Sequence, residues 1–193
     1  MKYRNVTISG RVGAGSSTLL KELKKYLVPQ GWEFFSGGEF MRQYAIDNGL
    51  INQNDPKHHY ATAYSDDFDR QVDYGMKERL ENKEKQILEA DLAGFMAKGI
   101  SGVLKILLVC HDDIRVDRVA NRDEVTIERA KEHVFDREGE NVAKWKRLYG
   151  DYDFWDSKNF DLVIDTYSHS KIETVDMVLK ELGMEGNGGS VAE

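Results

Sequence analysis

Cysteine is almost absent from this chain of 193 residues, which contains Cys110 alone. A single thiol excludes an intramolecular disulfide and is typical of a protein in the reducing cytoplasm. Because Cys110 follows an apolar run at 104–109, we expect a buried core thiol. Long hydrophobic segments are also missing, since no run approaches the about 20 residues of a membrane span and no signal-peptide core is present. We therefore expect a cytoplasmic protein with no membrane partner.

Positive charge is in short supply. The chain has 27 lysines and arginines against 34 aspartates and glutamates, a net charge of −7. Domains that bind nucleic acid usually present a basic face, so nucleic acid is not an expected partner. The histidines show no spacing typical of a structural metal site. With 40% hydrophobic residues, the chain is instead expected to form one folded domain, in which cations for any anionic ligand are gathered locally.

Apolar runs typical of strands alternate along the chain with the periodicity of amphipathic helices. The predicted strands are residues 3–9, 32–35, 85–89, 104–110 and 162–164. The predicted helices are residues 17–26, 39–48, 66–82, 112–121, 126–148 and 170–182. This alternation predicts an α/β fold in which helices cover both faces of a parallel sheet. Residues 183–193 are rich in glycine and have little to bury, so we expect a disordered tail.

A glycine-rich segment, GRVGAGSST at 10–18, lies between the first predicted strand and the first predicted helix. It nearly matches the phosphate-binding pattern G-x-x-x-x-G-K-[ST], with Ser16 in place of the lysine and Ser17 at the Mg²⁺-binding hydroxyl. A helix amino terminus with free N–H groups binds phosphate without any side chain. The residues that we assign to the ATP phosphates are Gly10, Arg11, Val12, Gly13, Ala14, Gly15, Ser16, Ser17 and Thr18.

Two features of this loop stay open at the level of sequence. The segment could instead be a tight strand-to-helix turn in which Ser16 or Ser17 caps the helix. Arg11 could supply the charge of the missing lysine, or it could be an ordinary solvated arginine.

Further segments follow the glycine loop in a characteristic order. They are SGGEFMR at 36–42, FDRQVD at 68–73, LEADLAGF at 88–95, the stretches 115–122 and 137–150, and LVIDT at 162–166. Together with residues 8–18, their order and spacing resemble the archaeal-type cytidylate kinases, a group of P-loop nucleoside monophosphate kinases. The similarity extends from residue 4 to about residue 182.

The resemblance implies a three-layer P-loop NTPase fold in one kinase domain, residues 1–182. It implies two helical inserts, an acceptor-binding insert at about 36–82 and a lid at about 123–150. The implied activity is ATP-dependent phosphorylation of CMP or dCMP to the diphosphate. ATP and a nucleoside monophosphate are then the ligands, and Mg²⁺ is the cofactor. We expect a monomer or a weak homodimer.

The resemblance also implies roles for side chains of the acceptor-binding insert. Arg42 would hold the acceptor's phosphate, and Ser36 would contact its base or sugar. Asp69, Arg70 and Asp73 lie within about one helical turn and could read a cytosine edge. A solvated, charged helix face accounts for these three residues equally well.

The predicted lid carries the implied catalytic cations. Arg137 and Lys144 are seven residues apart, which places them on one face of a helix, where they could close over the transferred phosphate. Arg122, with Arg118 one turn earlier, is a further donor, although an exposed charged helix is the ordinary alternative. Ser17 and Glu89 are the implied Mg²⁺ residues, since Glu89 ends a strand where a carboxylate could orient the metal's water shell.

The chain departs from the family pattern at two positions besides the missing lysine. Asp91, within EADLAG at 89–94, stands where relatives typically have the arginine of EGRLAG. If Asp91 faces the acceptor site, its charge should repel a monophosphate. Lys144 stands where arginine is usual, which loses the bidentate fork. Two alternatives therefore remain: a P-loop kinase with a different small-molecule acceptor, and a nucleotide-binding protein without catalytic activity.

Overall fold

The structure, a computed structural model, describes residues 2–50 and 63–184 and is built on a five-stranded sheet. All neighbouring strands of this sheet are parallel. The strands are β1 (Asn5–Gly10), β2 (Glu33–Ser36), β3 (Gln86–Glu89), β4 (Val103–Val109) and β5 (Leu162–Asp165). Their order across the sheet is β2-β3-β1-β4-β5. The first strand therefore lies at the centre, and every one of its residues is buried.

Helices connect successive strands. They are α1 (Ser16–Leu27), α2 (Gly37–Asp47), α3 (Asp66–Asn82), α4 (Ala93–Met96), α5 (Asp112–Asp123), α6 (Ile127–Tyr149) and α7 (Lys171–Glu181). Short 3₁₀ helices follow α1 at Val28–Gln30 and precede β5 at Ser157–Asn159. No helix of the described ranges combines the length and the apolar character that crossing a membrane requires.

The core forms because helices on both faces of the sheet bury apolar side chains against it. On one face, α1 and α7 pack against the central strands β1 and β4. The residues in contact include Leu20, Leu23, Leu179, Ile8 and Ile106. On the other face, α3 and α4 cover the sheet through a second cluster. That cluster includes Met76, Leu80, Leu88, Ala93 and Val103. These layers confirm the predicted α/β architecture of a parallel sheet between two helical layers.

The strands and long helices predicted from the sequence are all present, with ends that differ by one or two residues. The sequence pattern missed α4, because a helix of four residues is too short to show periodicity. The expectation of a buried Cys110 was wrong: the thiol is partly exposed, since β4 ends at Val109 and Cys110 opens the turn into α5. Most of the predicted disordered tail, from residue 185 onwards, lies outside the described residues.

Candidate active site at the carboxyl edge of the sheet

The glycine loop connects β1 to α1 beside the carboxyl ends of the strands. Gly13 and Gly15 have φ values of +80° and +103°, in the left-handed region that favours glycine. A Cβ atom on Gly13 would lie 2.6 Å from the backbone oxygen of Arg115, so α5 packs directly on the loop. Gly15 is the N-cap of α1, and no side chain caps this helix. The expectation that Ser16 or Ser17 would cap a tight turn is therefore wrong, because the N-cap residue is a glycine and makes no side-chain capping hydrogen bond.

Glu89, the last residue of β3, joins this loop to the opposite side of the cleft. Its Oε1 accepts hydrogen bonds from the Ser16 hydroxyl at 2.8 Å and the Ser17 hydroxyl at 3.3 Å. Its Oε2 accepts a hydrogen bond at 2.7 Å from Ser36, whose hydroxyl also accepts from the N–H of Glu39 and so caps α2. The position of the missing lysine is thus filled by a hydroxyl that is bound to a buried carboxylate.

Ser17 and Glu89 offer the oxygen donors that Mg²⁺ prefers. Within the part of the chain that the structure describes, no group of three or more His, Cys, Asp or Glu side chains could hold a metal ion by itself. Magnesium dehydrates reluctantly and is usually held by few protein oxygens together with phosphate oxygens and water. The donor set here fits that kind of site.

Arg11 lies against α6 and the segment that follows it. Its Nη1 is 3.2 Å from Oε2 of Glu138, and its guanidinium carbon is 4.6 Å from the centroid of the Trp155 ring. Arg11 is therefore ion-paired and stacked rather than simply solvated.

The second half of the cleft is formed by acidic residues of α3 that side chains of α6 hold in place. Nζ of Lys144 is 2.6 Å from Oδ2 of Asp69, and the Tyr149 hydroxyl donates to Oδ2 of Asp73 at 2.6 Å. Burial raises the pKa of Asp73 to about 7, even though the hydrogen bond from Tyr149 opposes this shift. Burial also raises the pKa of Asp69, against the effect of Lys144.

Asp91 and Arg137 form an ion pair that lines the cleft. Oδ2 of Asp91 is 3.6 Å from Nη2 of Arg137, and the two side chains are 27% and 16% exposed. Burial raises the pKa of Asp91 to about 6, and the positive charge of Arg137 limits that rise. Arg42 of α2 lines the same cleft with an exposed side chain.

These elements enclose one cleft of about 800 Å³. The residues singled out from the sequence that line it are Gly10, Arg11, Val12, Gly13, Ser16, Ser17, Ser36, Arg42, Asp69, Asp73, Glu89, Asp91, Arg122 and Arg137. Arg122 is at the rim, paired with Asp123 at 2.7 Å.

Some of the predicted site residues do not line the cleft. Arg70 pairs with Asp67 at 3.3 Å on the exposed side of α3, and Lys144 is buried behind Asp69. In the glycine loop, the residues that do not line the cleft are Ala14, Gly15 and Thr18. If they contact phosphate, they would do so through their backbone N–H groups.

Sequence reasoning missed the contacts that hold the cleft together. Arg115 and Glu138 form a buried ion pair at 2.5 Å, and Arg118 donates to the hydroxyl and carbonyl of Thr166. The Tyr149 hydroxyl donates to a carboxylate, that of Asp73. These partners lie 23 to 76 residues apart in the chain, so no local spacing could have signalled them.

A glycine loop of the P-loop type at the start of α1 and a cleft beside the carboxyl ends of parallel strands are the features of a P-loop kinase, a phosphotransferase. Kinases of this type generally use Mg²⁺ with ATP. The chain belongs to the cytidylate kinase-like family, whose model matches residues 5–168.

Named relatives extend this match. The chain is 34% identical over 161 residues to cytidylate kinase from Haloarcula marismortui, which covers 83% of this chain and 80% of the relative. It is 32% identical over 190 residues to cytidylate kinase from Thermococcus sibiricus, which covers 97% of this chain and 93% of the relative.

Solved structures share the fold. Shikimate kinase from Acinetobacter baumannii matches with a TM-score of 0.54 at 13% identity, covering 93% of each chain. An uncharacterised protein from Eubacterium ventriosum matches with a TM-score of 0.68 at 14% identity, covering 93% of this chain and 98% of that one. At such low identity these likenesses concern the fold alone.

Proposed function

We propose that the protein transfers the γ-phosphoryl group of ATP to a nucleoside monophosphate, with CMP or dCMP as the preferred acceptor. The observation that carries this proposal is the cleft itself, in which the phosphate-binding loop and an acceptor wall meet at Glu89. The names of the archaeal relatives support the pyrimidine acceptor.

The donor half would bind ATP through the backbone of residues 10–18 and the amino terminus of α1. N–H groups at a helix amino terminus stabilise phosphate through hydrogen bonds and the helix dipole. Ser17 and Glu89 would hold Mg²⁺, the former through its hydroxyl and the latter through water. When bound, the ion neutralises charge that develops on the transferred phosphoryl group.

The acceptor half would bind the monophosphate and its base. Arg42 would attract the phosphate, and Ser36 would contact the sugar or base. Asp69 and Asp73 are suited to accept from the exocyclic amine of cytosine, which uracil lacks. Because the acceptor phosphate is already ionised, no general base is required.

The lid, at about 123–150, would supply the remaining positive charge. Arg137 is suited to bridge the two substrates because its side chain lines the cleft. Arg122 at the rim would join it once the substrates are bound. Lys144 would act through Asp69, which it contacts at 2.6 Å, rather than by touching the phosphoryl group.

A coupled ADP-release assay with Mg·ATP and a panel of nucleoside monophosphates tests this proposal. We expect turnover with CMP or dCMP and much less with UMP, AMP or GMP. Nucleotide binding without turnover on any monophosphate would refute it.

Asp91 favours a second candidate function, a kinase whose acceptor carries a hydroxyl or an amine. A carboxylate that lines the acceptor half and neutralises Arg137 at 3.6 Å disfavours a dianionic acceptor. The same carboxylate could accept a hydrogen bond from a neutral or cationic group. Turnover restricted to such acceptors in the assay would support this candidate over the first.

A further inference from the structure

We infer that Glu138 is a positioning residue. It fixes the phosphate-binding loop and the lid helix α6 in the relative position that phosphoryl transfer requires. Its role in transfer rests on the proposed function, whereas its role in shaping the ATP site does not.

Glu138 makes hydrogen bonds to three residues around the proposed ATP site. Oε1 accepts from the backbone N–H of Val12 at 3.1 Å and from Nη1 of Arg115 at 2.5 Å. Oε2 is 3.2 Å from Nη1 of Arg11. The Glu138 side chain is only 8% exposed, so these partners replace the water that a carboxylate would otherwise bind.

Arg115 also binds the glycine loop. The same Nη1 that contacts Glu138 donates to the backbone oxygen of Val12 at 2.7 Å. Val12 is therefore held at both its N–H and its C=O, in a loop that contains the left-handed residues Gly13 and Gly15. Since Gly13 lies directly on the backbone of Arg115, the loop and α5 are held together at adjacent positions.

The contacts of Glu138 with the loop also determine the position of Arg137. Arg137 precedes Glu138 in α6, so fixing Glu138 against the loop fixes the place at which Arg137 enters the cleft. Arg11, in contrast, is drawn towards Glu138 and the Trp155 ring. In a loop without the usual lysine, Glu138 would thereby help to determine whether Arg11 or Arg137 lies near the ATP phosphates.

The test begins with ATP affinity, measured by calorimetry without any acceptor. Glu138→Gln keeps the side-chain length but removes the charge and turns an amide N–H towards the arginines. We expect ATP affinity to fall about tenfold or more, because hydrogen bonds to charged groups are the strong ones. Glu138→Asp, which keeps the charge, should recover part of the loss. Glu132→Gln, at an exposed position of the same helix, is the matched control and should bind ATP like the wild type.

A double variant separates positioning from simple stability, because a buried charge left without its partner destabilises a protein. Arg115→Met combined with Glu138→Met removes both charges and should regain the melting temperature lost in Glu138→Gln. We expect its ATP affinity and kcat to stay low, since Val12 and Arg11 still lack their acceptor. Recovery of wild-type ATP affinity in this double variant, or unchanged affinity in Glu138→Gln, would overturn the inference. If the wild type binds ATP but phosphorylates no monophosphate, the proposed function fails while this binding test stands.

Discussion

At the scale of single residues, Asp91 is the residue that we expect to affect acceptor binding most. Its carboxylate lines the cleft and pairs with Arg137. Under the proposed function, it should repel an acceptor phosphate that Arg42 attracts. Two unit charges about 6 Å apart interact by about 3 kcal/mol at an effective dielectric constant of about 20. Even a third of that value, about 1 kcal/mol, changes affinity several-fold.

Asp91→Asn should therefore tighten binding of the acceptor monophosphate several-fold at pH 8. The pKa of Asp91 is raised to about 6, so its charge is present above pH 6 and is lost as the pH falls through that value. The advantage of the variant should accordingly shrink towards pH 5. Steady-state KM for the monophosphate measures this, with Asp67→Asn at a 95% exposed position as the control. Loss of an activity on another acceptor would favour the second candidate function instead.

Gly15 provides a test of the phosphate-binding loop. Its φ of +103° is strained for any L-residue, and most of all for a β-branched one, although a Cβ atom there would meet no other atom within 4 Å. Because the strain is local and no clash accompanies it, Gly15→Val should fold but lose ATP binding in calorimetry. Gly75→Ala, in α3 with equally open space and no positive φ, should bind ATP normally. Normal ATP affinity in Gly15→Val would contradict the assignment of the loop.

At the scale of elements, α6 is the helix whose contacts the sequence predicted least well. Its ends were predictable to within a residue, because Ala130, Val134 and Trp145 mark a buried stripe. What that stripe contacts was not predictable. Glu138 meets a loop about 126 residues away and Tyr149 meets Asp73 about 76 residues away, and charge patterning alone suggested a solvated lid. Buried ion pairs between distant segments leave no periodic signal.

The contact between α6 and α3 should make stability depend on pH. Burial raises the pKa of Asp73 to about 7 from its ordinary value near 4, so its contribution to stability is fully present at low pH and is lost as the pH rises through 7. Each unit of raised pKa corresponds to about 1.4 kcal/mol, so ionisation costs on the order of 2–4 kcal/mol. Asp73→Asn should raise the melting temperature relative to the wild type at pH 8 and much less at pH 4.5. A difference that is constant with pH would contradict this.

The lid assignment predicts a change in hydrogen exchange. Segment 123–150 is charged, and most of its side chains are exposed. If this segment closes over ATP and the monophosphate, it should become more ordered. We expect slower exchange there when ATP and CMP, or a bisubstrate analogue, are added. Complete protection of this segment in the free protein would show that it is a fixed wall and not a lid.

At the scale of the whole molecule, the sheet order explains how separate segments build one site. Parallel strands end at the same edge, and the order β2-β3-β1-β4-β5 brings the ends of β1, β2 and β3 together. The glycine loop, Ser36 and Glu89 therefore meet, although they come from three segments of the chain. The alternation of strands and helices predicted the parallel sheet. The order of the strands did not follow from that alternation, so the junction of Ser16, Ser36 and Glu89 emerged only from the structure.

Phosphoryl transfer from ATP to CMP is tested most directly by ³¹P NMR, which detects both products of the reaction. The wild-type protein is incubated with Mg·ATP and CMP, and the phosphorus resonances of ADP and CDP are recorded over time. We expect ADP and CDP to appear in equal amounts, and Arg137→Ala to slow the appearance of both together. Release of ADP with inorganic phosphate but no CDP, or no loss of ATP at all, would contradict this expectation.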